Sequence, residues 1–267
     1  EEPVAAFLYY RHTEPDFFYS VTPKYALVVD FGGGTCDIAV VRYDNNHLPI
    51  VVGRAMGEFG GERIDELILK NCWLDNPWFN RSDSNRKFTL STSDYDQLSD
   101  FQNRALLAYV RLAKEDLSQR PEVDPRVNIS DISHREIGEW LAPTFSRNDL
   151  NRLLKEVLVE VKYADDPVIR ENSIFQHVEN LIALALGSAR IKRSNIKKLI
   201  FAGGSINLPG FTEMVVDLLK SNHTKVSDPP NHQLQAVDIL HKNSDICVAG
   251  GAAIHQLYKY SEKKEWK

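Results

Sequence analysis

The chain has 267 residues, 43% hydrophobic and 26% charged, the balance of a globular protein with room for one large unit or two linked ones. Its net charge of −5 argues against nucleic acid as the main partner, because a phosphate backbone selects basic faces, and no apolar run reaches the roughly 20 residues that span a bilayer. Cys36, Cys72 and Cys247 are scattered in apolar settings, so they read as reduced thiols in a cytoplasmic protein, with the sequons at Asn80, Asn128 and Asn222 as chance matches.

Residues 25–29 and 38–41 have the Val- and Ile-rich character of buried strands. A three-stranded meander is expected over 26–30, 37–43 and 50–55, with Asp44-Asn45-Asn46 as its second turn. After Gly60-Gly61 the period changes, and Ile64, Leu67, Ile68 and Cys72 recur at helical spacing, predicting a helix over 62–73. Residues 75–96 are polar and without period, as in a long surface loop. Helical order returns over 99–118, with Leu106, Leu107, Val110, Leu112, Ala113 and Leu117 apolar and Pro121 as a stop. Residues 127–132 and 136–141 read as a hairpin, and Ser146 as the N-cap of a helix over 147–161. Asp165-Asp166-Pro167 interrupts before a second long helix over 172–191. Residues 198–202 then read as a strand, Gly203-Gly204-Ser205 as a turn, and Pro209 as the opening of an amphipathic helix to about residue 220. Asp245 reads as the N-cap of a helix carrying the small residues 250–253, packed toward the sheet, and 261–267 as a charged tail.

The chemistry concentrates in the first turn. Gly32, Gly33 and Gly34 tolerate positive φ and let backbone N–H groups approach an anion with no Cβ in the way. Asp30, at the end of the preceding strand, offers a carboxylate through which a hydrated Mg²⁺ can bridge protein and phosphate, and Thr35 adds a hydroxyl to orient water or phosphate oxygen. A glycine-rich hairpin that binds nothing is the plain alternative; the flanking Asp30, Thr35 and Asp37 favour the phosphate reading. Gly203, Gly204 and Ser205 form a second strand–glycine–helix turn, where a helix N-terminus also favours phosphate.

Asp30-Phe-Gly-Gly-Gly-Thr-Cys-Asp37 and Phe201-Ala-Gly-Gly-Ser-Ile-Asn-Leu-Pro209, in this order, resemble two nucleotide-contacting motifs of the actin-like ATPase superfamily, and within it of the seventy-kilodalton heat-shock chaperones. Glu2-Pro-Val-Ala-Ala6, Gly60-Gly-Glu-Arg-Ile-Asp65 and Asp245-Ile-Cys-Val-Ala-Gly-Gly-Ala-Ala253 resemble further segments of that family. The resemblance implies an α/β fold: an actin-like (ribonuclease H-like) ATPase lobe with a mixed sheet, flanking helices and an inserted α+β subdomain. It divides the chain into a split IIA-like part, 1–62 and 190–260, and a IIB-like insertion with its connecting helix, 63–189. The chain is thus expected to be an excised second lobe, whose partners are the missing first ATPase lobe, a peptide-binding domain, client proteins and co-chaperones.

By the same resemblance the cofactors are ATP or ADP with Mg²⁺. Asp30 and Glu2 face the metal through water, Gly32, Gly33 and Gly34 hold phosphates, and Thr35 stands near the γ-phosphate and attacking water. Gly203, Gly204, Ser205 and Asp245 lie on the second nucleotide-facing side. The adenosine helix resembles Arg111-Leu-Ala-Lys114-Glu115-Asp-Leu-Ser118, which gives Lys114 and Ser118 to ribose and adenine. Arg111 and Glu115 replace a glutamate and an arginine, and Asn207 an arginine, which favours an alternative: a divergent nucleotide-binding module of a regulatory or scaffold protein, with hydrolysis lost. Asp37 and Asp65 read as structural. A cell-shape filament is a weaker third reading.

Overall fold

The computed structural model describes residues 2–20, 22–45, 48–73, 96, 98–123, 126–128, 139–141, 145–164, 166–220, 238–240, 244 and 246–264. The chain divides into two compact units, one of Glu1–Gly60, Val159–Ile206 and Phe211–Lys267, the other of Gly61–Leu158 and Asn207–Gly210.

The first unit opens with helix α1 (Glu2–Thr13) and the single turn α2 (Pro15–Phe18). No helical periodicity marks this segment in the sequence. Ala5, Ala6, Phe7, Leu8 and Tyr10 are all buried, so α1 carries apolar residues around its circumference and lacks the one-sided stripe that marks a surface helix. Strands β1 (Lys24–Phe31), β2 (Cys36–Tyr43) and β3 (Ile50–Gly57) form the expected antiparallel meander.

Here the chain enters the second unit. Helix α3 (Gly61–Ile68) runs on into a π-helical turn, Leu69–Trp73, matching the predicted span. The expected loop over 75–96 lies almost wholly outside the described residues. Helix α4 (Asp100–Asp116) starts at a capping box in which Ser99 and Gln102 exchange hydrogen bonds, satisfying donors that the first helical turn leaves unpaired. Strand β4 (Glu122–Val123) pairs with β7 (Phe145–Ser146), and β5 (Arg126–Asn128) with β6 (Glu139–Leu141), the outer ends of the expected hairpin, whose residues 129–138 lie outside the described residues. Ser146 caps helix α5 (Arg147–Glu156) in a second capping box, with Asp149.

The helix predicted over 147–161 ends at Glu156, and β8 (Leu158–Tyr163) follows. Val159, Val161 and Tyr163 are buried while Leu158, Glu160 and Lys162 are exposed; this two-residue period, in a β-branched run, overrides the helical spacing that continues from Leu150. Asp166 and Pro167, where the sequence reads an interruption, accordingly open β9 (Asp166–Ser173), while Asp165 lies outside the described residues, and α6 (Ile174–Ala189) begins only after its cap Ser173. Strands β8 and β9, read from sequence as helix or interruption, extend the main sheet, and with α6 they belong almost entirely to the first unit. Strand β10 (Ile196–Ala202) pairs parallel with β1 and with β11 (Asp238–Leu240). Helix α7 (Phe211–Lys220) starts two residues later than Pro209, because Gly210 at φ 82° is left-handed and cannot form its first turn. Helix α8 (Cys247–Lys264) closes the described chain.

Among the described residues the main sheet has seven strands in the order β11-β10-β1-β2-β3-β8-β9. One face carries Ala26, Val28, Ala39, Val41 and Ile200 against Phe7, Tyr10 and Phe18. On the other, α6 lies so close to β3 that a Cβ at Gly53 would stand 2.2 Å from the Ala185 carbonyl oxygen. The small residues of α8 meet α1 rather than the sheet, since a Cβ at Gly251 would stand 1.6 Å from the Ala5 carbonyl oxygen. No helix among the described residues is long and apolar enough to cross a membrane.

Candidate functional site

Strands β1 and β2 keep antiparallel register up to the Asp30–Asp37 and Phe31–Cys36 pairs. The Gly32 N–H then donates to the Thr35 carbonyl at 3.0 Å and closes the hairpin. This amide is therefore engaged inside the turn, leaving those of Gly33 and Gly34 as donors at its exposed tip. An added Cβ at Gly34 would meet nothing within 4 Å, so the tip is open to a ligand.

Asp30 alternates onto the α1 face of the sheet and is 7% exposed. Burial first, and then the carboxylates of Glu2 and Asp37, push its pKa from 3.8 up to about 6. Asp37 is raised too, chiefly by burial; the Thr35 hydroxyl opposes this by donating to Asp37 Oδ2 at 2.9 Å, and Arg54 also opposes it. Glu2, Asp37 and Arg54 line a cavity of about 190 Å³ with Pro3, Val51 and Ala55. Among the described residues no three His, Cys, Asp or Glu side chains close into a metal cage. The crowding of negative charge around Asp30 nevertheless fits a cation reached through water, and the exposed tip amides fit phosphate oxygens.

The second glycine turn abuts the first. Asp30 is in register with Ala202, and the next residue, Gly203, has φ 83°. A Cβ there would stand 2.4 Å from the Phe31 carbonyl oxygen and 2.8 Å from Asp30 Oδ1, so only glycine fits. The Gly203 N–H donates to the Ser244 carbonyl at 2.8 Å. Ser205 Oγ donates to the Gly32 carbonyl at 2.8 Å and ties the turns directly. Gly204, by contrast, has open space where a side chain would be. Behind the hairpin, Phe31 stacks on Phe211 with ring centroids 4.7 Å apart, seating the turn on an aromatic base.

Lys114 and Ser118 belong to the second unit, where their polar groups already have partners. Lys114 Nζ donates to the Gly61 carbonyl at 2.8 Å and stands 2.5 Å from Asp65 Oδ1. Arg111 Nε lies 3.2 Å from the other Asp65 oxygen, so the buried Asp65 is structural, as its sequence setting suggested. Ser118 Oγ donates to the Glu115 carbonyl at 2.7 Å. Asp245 lies outside the described residues. Thus Asp30, Gly32, Gly33, Gly34, Thr35, Gly203, Gly204 and Ser205 come together in one unit, electrostatically linked to Glu2. Sequence reasoning gave no role to Arg54 or Gly60. Arg54 carries no sequence signal, whereas Gly60 opens the segment Gly60-Gly-Glu-Arg-Ile-Asp65, from which its contact with the Gly32 and Gly33 carbonyls cannot be read.

The Hsp70 protein family model matches residues 1–255. A DnaK chaperone from Mycoplasma mycoides subsp. mycoides SC is 26% identical over 257 residues, covering 95% of this chain and 34% of that protein. A homolog of the chaperone HscA from Laribacter hongkongensis is 25% identical over 203 residues, 76% of this chain and 26% of that protein. The DnaK1 chaperone of Synechocystis is 23% identical and matches 95% of this chain. The chain spans about a third of the length of the curated relatives it matches.

Proposed function

The chain belongs to the Hsp70 family, with the actin-like ATPase fold that membership implies, and from that premise we propose that it is the second lobe of a chaperone ATPase domain, gripping the phosphates of ATP or ADP with Mg²⁺ on its two glycine turns. The first unit corresponds in this reading to subdomain IIA and the second to subdomain IIB. The observation that carries the proposal is the abutment of Gly32–Gly34 on Gly203–Ser205, through Ser205 Oγ on the Gly32 carbonyl, with a buried carboxylate beside them.

The amides of Gly33 and Gly34 bind phosphate oxygens, and Asp30 with Glu2 would hold hydrated Mg²⁺, which would neutralise phosphate charge. Thr35, oriented by Asp37, positions the attacking water for in-line displacement, where positioning and charge neutralisation supply most of the rate. In the full-length parent, hydrolysis turns one lobe against the other and controls client binding, with co-chaperones as further partners, in the cytoplasm.

Steady-state phosphate release tests this reading. The parent hydrolyses ATP and loses activity on Asp30→Asn, while this chain alone, lacking the first lobe's half of the clamp, releases phosphate at background. A parent whose turnover survives Asp30→Asn contradicts the assignment. The divergent, hydrolysis-deficient module is the second reading, favoured by the commitment of Arg111 and Lys114 to Asp65. It predicts nucleotide binding by the parent without turnover.

A further inference from the structure

We infer that Ser205 and Gly60 are positioning residues that fix the direction in which the tip amides of the hairpin point; the inference rests on the phosphate role proposed for that hairpin. Two carbonyl groups in the hairpin are turned inward. The Gly32 carbonyl accepts the Ser205 hydroxyl at 2.8 Å. Gly60 presses on the same stretch of backbone, since a Cβ there would stand 2.4 Å from the Gly33 carbonyl oxygen and 2.7 Å from that of Gly32. All these residues lie in the first unit.

Peptide planarity converts these two contacts into a direction. In a trans peptide the C=O of one residue and the N–H of the next point oppositely, and there is no cis bond among the described residues. With the Gly32 carbonyl held toward Ser205, the Gly33 N–H is directed away from it. With the Gly33 carbonyl against Gly60, the Gly34 N–H is directed away from Gly60. Both donors are thereby preset before an anion arrives, at the exposed end of the turn. Without such pins a three-glycine loop would sample many orientations, because glycine has the widest backbone freedom.

The same geometry separates two roles for Ser205. Its hydroxyl has one proton, which it gives to the Gly32 carbonyl. A fully ionised phosphate oxygen needs a donor, so Ser205 acts on the anion through the hairpin. Gly60 works by absence: any side chain there drives back the Gly32 and Gly33 carbonyls and turns the following amides with them.

The test measures N–H residual dipolar couplings of Gly33 and Gly34 in the full chain, deuterated and ¹⁵N-labelled, with pyrophosphate as the anion probe. In Ser205→Ala the couplings at Gly33 change while those along β1, β2 and β10 hold, and pyrophosphate binds about tenfold more weakly, as expected when one orienting hydrogen bond is lost. Ser205→Thr restores both. Gly60→Ala displaces the Gly34 coupling as well; if that variant does not fold, the Ser205 pair still decides. Couplings at Gly33 that superimpose in wild type and Ser205→Ala overturn the inference. Pyrophosphate that leaves the wild-type Gly33 and Gly34 resonances unmoved overturns instead the phosphate reading of the hairpin, while the couplings continue to report on positioning.

Discussion

Asp30 is held in a conflict that a ligand would relieve. Its carboxyl is buried beside two other carboxylates, so its pKa rises from 3.8 to about 6. A folded-state pKa above the unfolded value means that its contribution to stability is complete below about pH 4 and is lost as pH rises through 6. At pH 7.5 the ionised side chain therefore costs stability, up to about 3 kcal/mol for a shift of this size. Asp30→Asn is expected to raise the thermal midpoint at pH 7.5 and to have little effect at pH 4, as read by circular dichroism melts at both values. A variant equally or less stable than wild type at pH 7.5 would show that the charge is already neutralised. The place of Asp30 at the end of a buried strand before three glycines was legible in the sequence, whereas the pairing of Thr35 with Asp37 was not. The two side chains meet because the turn ends between them, and spacing alone does not give that geometry.

The elements that sequence periodicity misplaced are those with a buried face on more than one side or with two competing periods. Helix α1 lies between the sheet and α8, so its residues show no single apolar stripe. Its contact with α8 depends on Gly251: Gly251→Ala sets a methyl into the Ala5 carbonyl, and a loss of about 3 kcal/mol in a denaturant titration is expected, at the upper end of overpacking effects. Unchanged stability would mean the helices separate freely. Strand β8 was hidden because Leu150, Leu153, Leu154 and Val157 continue a helical stripe almost into it. What anchors β8 is His177 on α6, fully buried, donating from Nε2 to the Val159 carbonyl at 2.9 Å and accepting the Tyr163 hydroxyl at Nδ1 at 2.9 Å. The carbonyl can only accept, which fixes this neutral tautomer. Burial, the leading cause, holds the His177 pKa below 6.5. Its stabilisation is therefore present above pH 6.5 and is lost as pH falls toward the depressed value. Thermal midpoints should drop between pH 7 and pH 5 in wild type and drop less in His177→Gln; parallel curves would remove His177 from the acid response.

For the molecule as a whole, the structure separates a sheet-bearing unit, which holds β8, β9 and α6, from a unit of Gly61–Leu158 and Asn207–Gly210; helical spacing in the sequence hides the two strands of that first unit. The two glycine turns were the most legible part as turns, since consecutive glycines after an apolar strand have few other uses. The partners of Lys114 on α4 were the least legible, because a lysine in a helix reveals nothing about a buried aspartate 49 residues earlier in the chain. Calorimetric titration of the full-length parent with Mg-ADP, in wild type and in Gly33→Asp and Gly204→Asp, tests most directly whether the two turns clasp one nucleotide. A carboxylate at either tip sets charge and bulk against phosphate, and each variant is expected to bind at least about 100-fold more weakly. Wild-type affinity in either variant would contradict a shared phosphate clasp.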